Sequence, residues 1–143
     1  MAKRGWRSRC PWSITSSLST SRRLPRSDRI VTSSAVRARE TLKRAVKGGD
    51  WGDVSTEVTD DLYEATPEAV LAVIQRQDDS WTRLLLVGHE PTWSQTIVRC
   101  IGGGAVKVTT GAMAQIDFYA PRWQDVDFGG GTLRWFATPK ILS

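Results

Sequence analysis

The residue best equipped for chemistry in this chain is His89, the only histidine among 143 residues. It follows an apolar run, Leu84 to Val87, and a single glycine, Gly88. Pro91 comes two residues later, at the position where a new helix would begin. Four consecutive apolar residues predict a strand buried on both faces, as in a parallel sheet. The segment therefore predicts a lone imidazole at the carboxyl end of a central strand, beside a helix amino terminus. In open α/β sheets ligands bind there, and the helix end favours anions. Imidazole is suited to proton or phosphoryl transfer near neutral pH. The bland alternative is a structural histidine bonded to a nearby carbonyl, and the strand-Gly-His-x-Pro-helix context is what weighs against it.

Elements that would position such a group can be read on either side. Ile30 to Ser33 reads as a short strand, and Ser33 or Ser34 can cap the helix that follows, about Ala35 to Val46. Val36, Leu42 and Val46 are expected on its apolar side, and Gly48-Gly49 ends it. Val54 to Thr59 reads as a second strand. A loop from Asp60 to Ala65 leads to Thr66-Pro67, a helix start, with Val70, Leu71 and Ile74 as the buried stripe. After the Leu84–Val87 strand, Trp93, Ile97, Val98 and Ile101 recur at helical spacing from Pro91 to about Ile101. Trp93 could line a pocket rim, but its place on this stripe favours the core. Gly102-Gly103-Gly104 stops the helix and is no phosphate loop, because it follows a helix and precedes no Lys-Ser/Thr pair. Ala112 to Tyr119 and Thr132 to Ala137 read as strands on either side of a Phe128-Gly-Gly-Gly turn. The order β-α-β-α-β-α-β-β predicts a three-layer α/β/α domain with a mostly parallel central sheet.

Composition narrows the classes. The length suits one domain. Hydrophobic residues at 40% and charged residues at 24% are ordinary for a soluble protein, and no apolar run approaches the ~20 residues needed to span a bilayer. Two cysteines, Cys10 and Cys100, make neither a disulfide framework nor paired metal-ligand spacing. With a single histidine a structural zinc site is not expected, and a reducing, cytoplasmic setting is the default. The net charge of +5 is unevenly spread: residues 1–29 carry eight basic residues and one acidic, the remainder twelve basic and fourteen acidic. The basic character thus belongs to an arm. Residues 1–29, rich in Arg and Ser and without apolar periodicity, are expected to be a solvated, disordered arm, with residues 30–143 as the folded domain. An organelle transit peptide and a nucleic-acid-binding arm are weaker readings of the same composition.

Several segments together resemble the histidine phosphatase superfamily. Thr32-Ser-Ser-Ala-Val-Arg37-Ala-Arg-Glu-Thr41 is similar to its S-x-x-x-R-A-x-x-T motif, and Leu86-Val-Gly-His89-Glu-Pro to its later G-H motif. Leu62-Tyr63-Glu64-Ala65-Thr66-Pro67-Glu68, Thr110-Gly-Ala-Met and Ala137-Thr-Pro-Lys are similar to the small branch typified by the phosphohistidine phosphatase SixA. The resemblance spans about residues 28–143, and its weight comes from the order and spacing of the motifs. It implies phosphoryl transfer through a phosphohistidine, in which a nucleophilic histidine attacks phosphorus while arginines and a second histidine hold the equatorial oxygens. By motif match Arg37 is one phosphate-clamping arginine, and His89 is the second histidine, a charge stabiliser. Glu64 is the candidate proton donor. The implied substrate is a protein phosphohistidine or a small phosphorylated metabolite, with no cofactor and no metal. Without the motifs, Arg37 reads as a solvated helix residue and Glu64 as a loop or capping residue.

One departure matters. The superfamily's first motif, an apolar strand followed by R-H-G, supplies the nucleophile and lies in the middle of the sheet, and it is not present here. A gap in the sheet and a chain impaired or inactive as a catalyst are the expected consequences. Ala2-Lys3-Arg4-Gly5 is similar to a segment that follows the first motif, which suggests a chain begun too late and an altered reading frame between about Trp6 and Ser27. The alternative function is a non-catalytic phosphate-binding or protein-interaction module that keeps Arg37 and His89. Membrane partners are not expected, and a nucleic-acid partner only as the third reading, through the basic arm.

Overall fold

The computed structural model describes residues 29–49, 54–81, 83–88, 92–108 and 112–137. The arm expected over residues 1–29 therefore lies outside the described residues, except that Arg29 opens the first strand. Five strands and three helices follow in the expected order: β1 (Arg29–Ser33), α1 (Val36–Gly49), β2 (Ser55–Thr59), α2 (Pro67–Gln75), β3 (Leu84–Val87), α3 (Thr92–Ile101), β4 (Met113–Phe118) and β5 (Gly131–Ala137). Two single 3-10 turns, Asp60–Leu62 and Trp123–Asp125, interrupt the connections.

β1 lies between β2 and β3 and is parallel to both, with Thr32 opposite Val58 on one side and Val87 on the other. β4 and β5 form a separate antiparallel hairpin. Among the described residues no strand is bonded to the outer edge of β3, and the sheet is split between β3 and β4. The two parts are nevertheless halves of one layer. Leu84 and Leu86 of β3 share a buried cluster with Ala114, Ile116 and Phe118 of β4, and that cluster includes the inner stripes of α2 and α3. Leu85 and Val87 share the opposite cluster with Met113 and with Ala38 and Leu42 of α1. Side chains alternate across a strand, so two strands that divide their residues between the same two cores must lie in the same plane. The mostly parallel α/β/α architecture follows, with α1 on one face and α2 and α3 on the other.

Local chemistry explains most boundaries. Thr66 caps α2, its hydroxyl accepting from the Ala69 amide at 3.2 Å, and Pro67 occupies the first turn, where no amide donor is required. α3 ends in a Schellman motif. The Gly103 amide donates to the Val98 carbonyl at 2.9 Å and the Gly102 amide to Arg99 at 3.3 Å, with Gly102 at φ +91°. Two sequence expectations need correction. Val36 is 69% exposed and not on the apolar side of α1. At about 100° per residue it stands roughly opposite Ala38, and the buried row is Ala38, Thr41 and Leu42; the side chain of Val46 lies outside the described residues. In α3 the fully buried residues are Trp93, Thr96, Ile97 and Cys100, whereas Val98 and Ile101 are only half-buried.

Cys100 is a free, fully buried thiol. Burial pushes its pKa up from 9.0 to about 12, with Arg99 opposing weakly. A folded-state value above the unfolded one means that the neutral thiol's contribution to stability is whole below pH 9 and is lost as the pH climbs toward 12. In a Cys10→Ser variant the remaining thiol should therefore react with a thiol reagent at pH 8 only as fast as the domain opens. Labelling that keeps pace with a free cysteine in native conditions would contradict its burial.

Candidate functional site

Following the chain through the sheet locates the site. From β1 it moves outward to β2, then returns across β1 to β3 on the other side. The direction reverses at β1, and α1 and α2 pass on opposite faces. Connections after β1 and after β3 therefore diverge, leaving a crevice at the carboxyl ends of these two strands. The loops around this crevice carry the residues singled out in the sequence.

The β1–α1 connection is short and tied down. The Ser33 hydroxyl accepts from the Ala35 amide at 3.2 Å, and the Ser34 amide donates to the Thr59 carbonyl at 3.1 Å. Ser33 is therefore the residue that organises the start of α1, while the Ser34 hydroxyl is used elsewhere, on the Asp60 carboxylate after β2. Arg37 follows in the first turn of α1 and is exposed. Arg37 thus has no buried structural role and belongs to the end of the helix nearest the crevice.

The β2–α2 connection begins with the 3-10 turn Asp60–Leu62, whose start is capped by the Thr59 hydroxyl accepting from the Asp61 amide at 3.1 Å. The Asp61 carboxylate accepts from Arg76, which also bonds Glu57 at 2.6 Å; Arg76 holds the Asp61 carboxyl below its ordinary range, with help from Thr59. Glu64 comes next, exposed and with φ +47°. It is the one non-glycine residue with positive φ among the described residues. This left-handed conformation costs an L-residue roughly 1–2 kcal/mol and persists where the surroundings hold it. The third connection follows β3. Gly88 is buried at its end, while His89, Glu90 and Pro91 lie outside the described residues. The chain resumes at Thr92, whose hydroxyl donates to the Ala65 carbonyl of the β2–α2 loop.

The structure thus brings together the segments bearing Arg37 and Glu64, and both surround the strand end that leads to His89. The motif residues Thr110 and Gly111 and the Thr138-Pro-Lys segment are outside the described residues as well. Sequence reading missed the two cross-loop bonds, Ser34 to Asp60 and Thr92 to Ala65. Hydroxyl and carboxylate side chains at loop positions were visible, but their partners lie 26 and 27 residues away along the chain.

Comparison with known proteins agrees with this geometry. No family model matches the chain. The uncharacterised protein Rv1276c of Mycobacterium tuberculosis is 35% identical over 127 residues, covering 82% of this chain and 77% of that protein. ML1117 of Mycobacterium leprae is 29% identical over 126 residues, covering 82% and 74%. Among solved structures, a SixA-type protein of Nakamurella multipartitia, assigned as a phosphohistidine phosphatase, superposes with a TM-score of 0.72 at 20% identity, over 92% of this chain and 96% of the other. The protein histidine phosphatase SixA complexed with tungstate gives 0.69 at 22%, over 83% and 73%. The alpha-ribazole phosphatase of Shigella flexneri gives 0.61 at 14%, over 90% and 96%. The chain belongs to one family with these mycobacterial proteins, and its fold is that of the histidine phosphatases among the solved structures.

Within this histidine phosphatase fold the glycine of the G-H motif has a packing reason. A Cβ added at Gly88 would stand 2.6 Å from Cζ2 and 2.9 Å from Cε2 and Nε1 of the Trp93 indole. Trp93 is 2% exposed, so its ring cannot swing into solvent. It belongs to the core, as its place on the helical stripe predicts. The indole lies directly on the strand end because that position carries no side chain, and α3 is thereby drawn against β3. Gly88→Ala should destabilise the domain by about 1–3 kcal/mol through overpacking. Trp93→Leu makes room for the new methyl, so the double variant should be more stable than the sum of the two single losses. Strict additivity in denaturant-unfolding midpoints would show that this contact does not set the strand–helix approach.

Proposed function

We propose that this chain binds the phosphoryl group of a phosphorylated protein, or of a small phosphoester, in the crevice at the carboxyl ends of β1 and β3. In this reading Arg37 and His89 face the equatorial oxygens and Glu64 is the proton donor. The observation that carries it is the chain reversal at β1, which directs the segments bearing Arg37 and Glu64 toward the strand end that precedes His89. A phosphoryl group in transfer spreads negative charge over three oxygens, and the protein's task is to place cationic donors around it. A guanidinium offers two parallel N–H donors to such a group. An imidazolium adds a further donor and a further charge.

The substrate class rests on likeness to proteins named for phosphohistidine and for alpha-ribazole phosphate chemistry, and the protein phosphohistidine is the preferred choice. The short connections read from the sequence suggest no large cap over the site, which is compatible with a side chain presented by another protein. A soluble protein is consistent with the described residues, in which no helix is long and apolar enough to cross a membrane.

Catalysis in this chain is expected to be impaired. The given sequence has a single histidine, and that one matches the charge-stabilising position, so it offers no second histidine to form a phosphohistidine. A phosphate-binding role without turnover uses the same crevice and the same residues, and the single histidine favours it as the second reading.

Calorimetric titration of the full chain with inorganic phosphate tests the binding site. Arg37→Ala and His89→Ala should each weaken binding about tenfold or more, consistent with loss of one charge-assisted contact. Binding indifferent to both substitutions would remove the site from this crevice. With a generic phosphomonoester the unaltered chain should give no burst of phosphate and no acid-labile phosphoenzyme. Robust turnover abolished by His89→Ala alone would instead make His89 the nucleophile.

A further inference from the structure

Glu64 raises a question that its exposure does not answer. A solvated glutamate in a loop has no reason to sit at φ +47°, because relaxing to an ordinary conformation would recover the cost of the left-handed one. Such a residue stays in place only when the chain on both sides of it is fixed. On the amino side, the Tyr63 amide donates to the Asp60 carbonyl at 2.9 Å, and Leu62 is buried in the main core. On the carboxyl side two bonds act within two residues. The Thr66 hydroxyl accepts from Ala69 at 3.2 Å, which ties the loop to α2. The Ala65 carbonyl accepts from the Thr92 hydroxyl, which ties it to α3.

The second of these bonds differs in kind from the first. Thr66 acts within its own helix start, so it fixes where α2 begins and nothing beyond. Thr92 reaches across 27 residues of sequence. It is the first residue of α3, three positions after His89, and its own carbonyl accepts from the Thr96 hydroxyl at 2.6 Å. Thr92 is therefore integrated into the helix through its carbonyl and into the Glu64 loop through its hydroxyl. A single side chain joins the segment carrying the candidate acid to the helix that follows the candidate phosphate-binding histidine.

We infer that Thr92 is a positioning residue: its hydroxyl holds the Glu64 carboxylate at the mouth of the crevice, in register with an oxyanion bound beside the start of α3. The inference rests on the phosphate-binding reading given above. It also explains the backbone of Glu64, because the Thr92 bond restrains the residue immediately after it. Without the hydroxyl, Ala65 is released, Glu64 returns to an ordinary φ, and the carboxylate leaves the anion.

The test uses the full chain, inorganic phosphate and four variants: Glu64→Gln, Thr92→Val, Thr92→Ser, and Thr92→Val combined with Glu64→Gln. A carboxylate held beside bound phosphate repels it, so Glu64→Gln should tighten binding about threefold to tenfold. Thr92→Val keeps the side chain's shape and loses the donor, and it should tighten binding by a similar factor. In the Glu64→Gln background Thr92→Val should add nothing, and Thr92→Ser should retain the affinity of the unaltered chain. Hydrogen exchange over residues 63–66 should rise in Thr92→Val alone, with the β1 and β3 amides still protected. If Thr92→Val leaves phosphate affinity unchanged while Glu64→Gln shifts it, Thr92 positions nothing. Should neither substitution shift it, Glu64 is not beside the anion and the inference fails equally. Independent, additive effects of the two substitutions would also overturn it, as would a Thr92→Ser chain that behaves like Thr92→Val. Absence of any phosphate binding by the unaltered chain would be a different result, since it removes the site itself.

Discussion

The hydrogen-bonded ladders on both edges of β1 are the constraint on which the rest depends. β1 is only five residues long, yet it pairs with β2 on one side and β3 on the other. Because both partners are parallel to it, each connection must cross over the sheet, and the chain must place α1 and α2 on opposite faces. That requirement creates the crevice. Charge then locks the opposite, amino-terminal end of the ladder, where Arg29 bonds Ser55 at 2.6 Å and Glu57 at 3.0 Å and lies over the Trp81 ring. The carboxyl end is left to the loops. The ladder is thus pinned at its amino end by Arg29, while at the carboxyl end hydroxyl bonds act beside the Arg76–Asp61 ion pair.

Hydroxyls suit that second task. A serine or threonine in a loop can donate to a carboxylate or a carbonyl at the cost of little side-chain entropy. The bonds from Ser34 to Asp60 and from Thr92 to Ala65 connect three loops that the backbone ladder does not connect. Two arginines are instead engaged by carboxylates, Arg76 by Asp61 and Glu57 and Arg99 by Glu68.

The division of the β layer into three parallel strands and an antiparallel hairpin bears on energetics as well as function. Packing joins the halves, since β3 and β4 contribute alternate residues to the same two cores. Burial of that kind is non-directional and tolerates a change of spacing, while a backbone ladder does not. Among the described residues the two halves are therefore joined by side-chain packing and not by a backbone ladder.

Much of this was legible along the chain. Local signals act within one turn or one strand, and they marked every element: Thr66-Pro67 at the start of α2, the glycine run after α3, the four-residue apolar run of β3. The positions of Arg37 and Glu64 at one end of the sheet were also implied by the motifs that contain them. Less legible were features that depend on which surface meets which. Val36 looked like core and is solvent-facing, because an apolar residue in a first turn says nothing about the direction in which the sheet lies. The 3-10 turns and the cross-loop bonds of Ser34 and Thr92 were invisible for a related reason. The order of the elements could be read along the chain, since propensity and periodicity are properties of neighbours, and the motifs supplied the candidate residues. Only the tertiary structure decided that α3 rests its indole on Gly88 and that Thr92 reaches the carbonyl beside Glu64, because those contacts exist only once segments 27 residues apart are folded against each other.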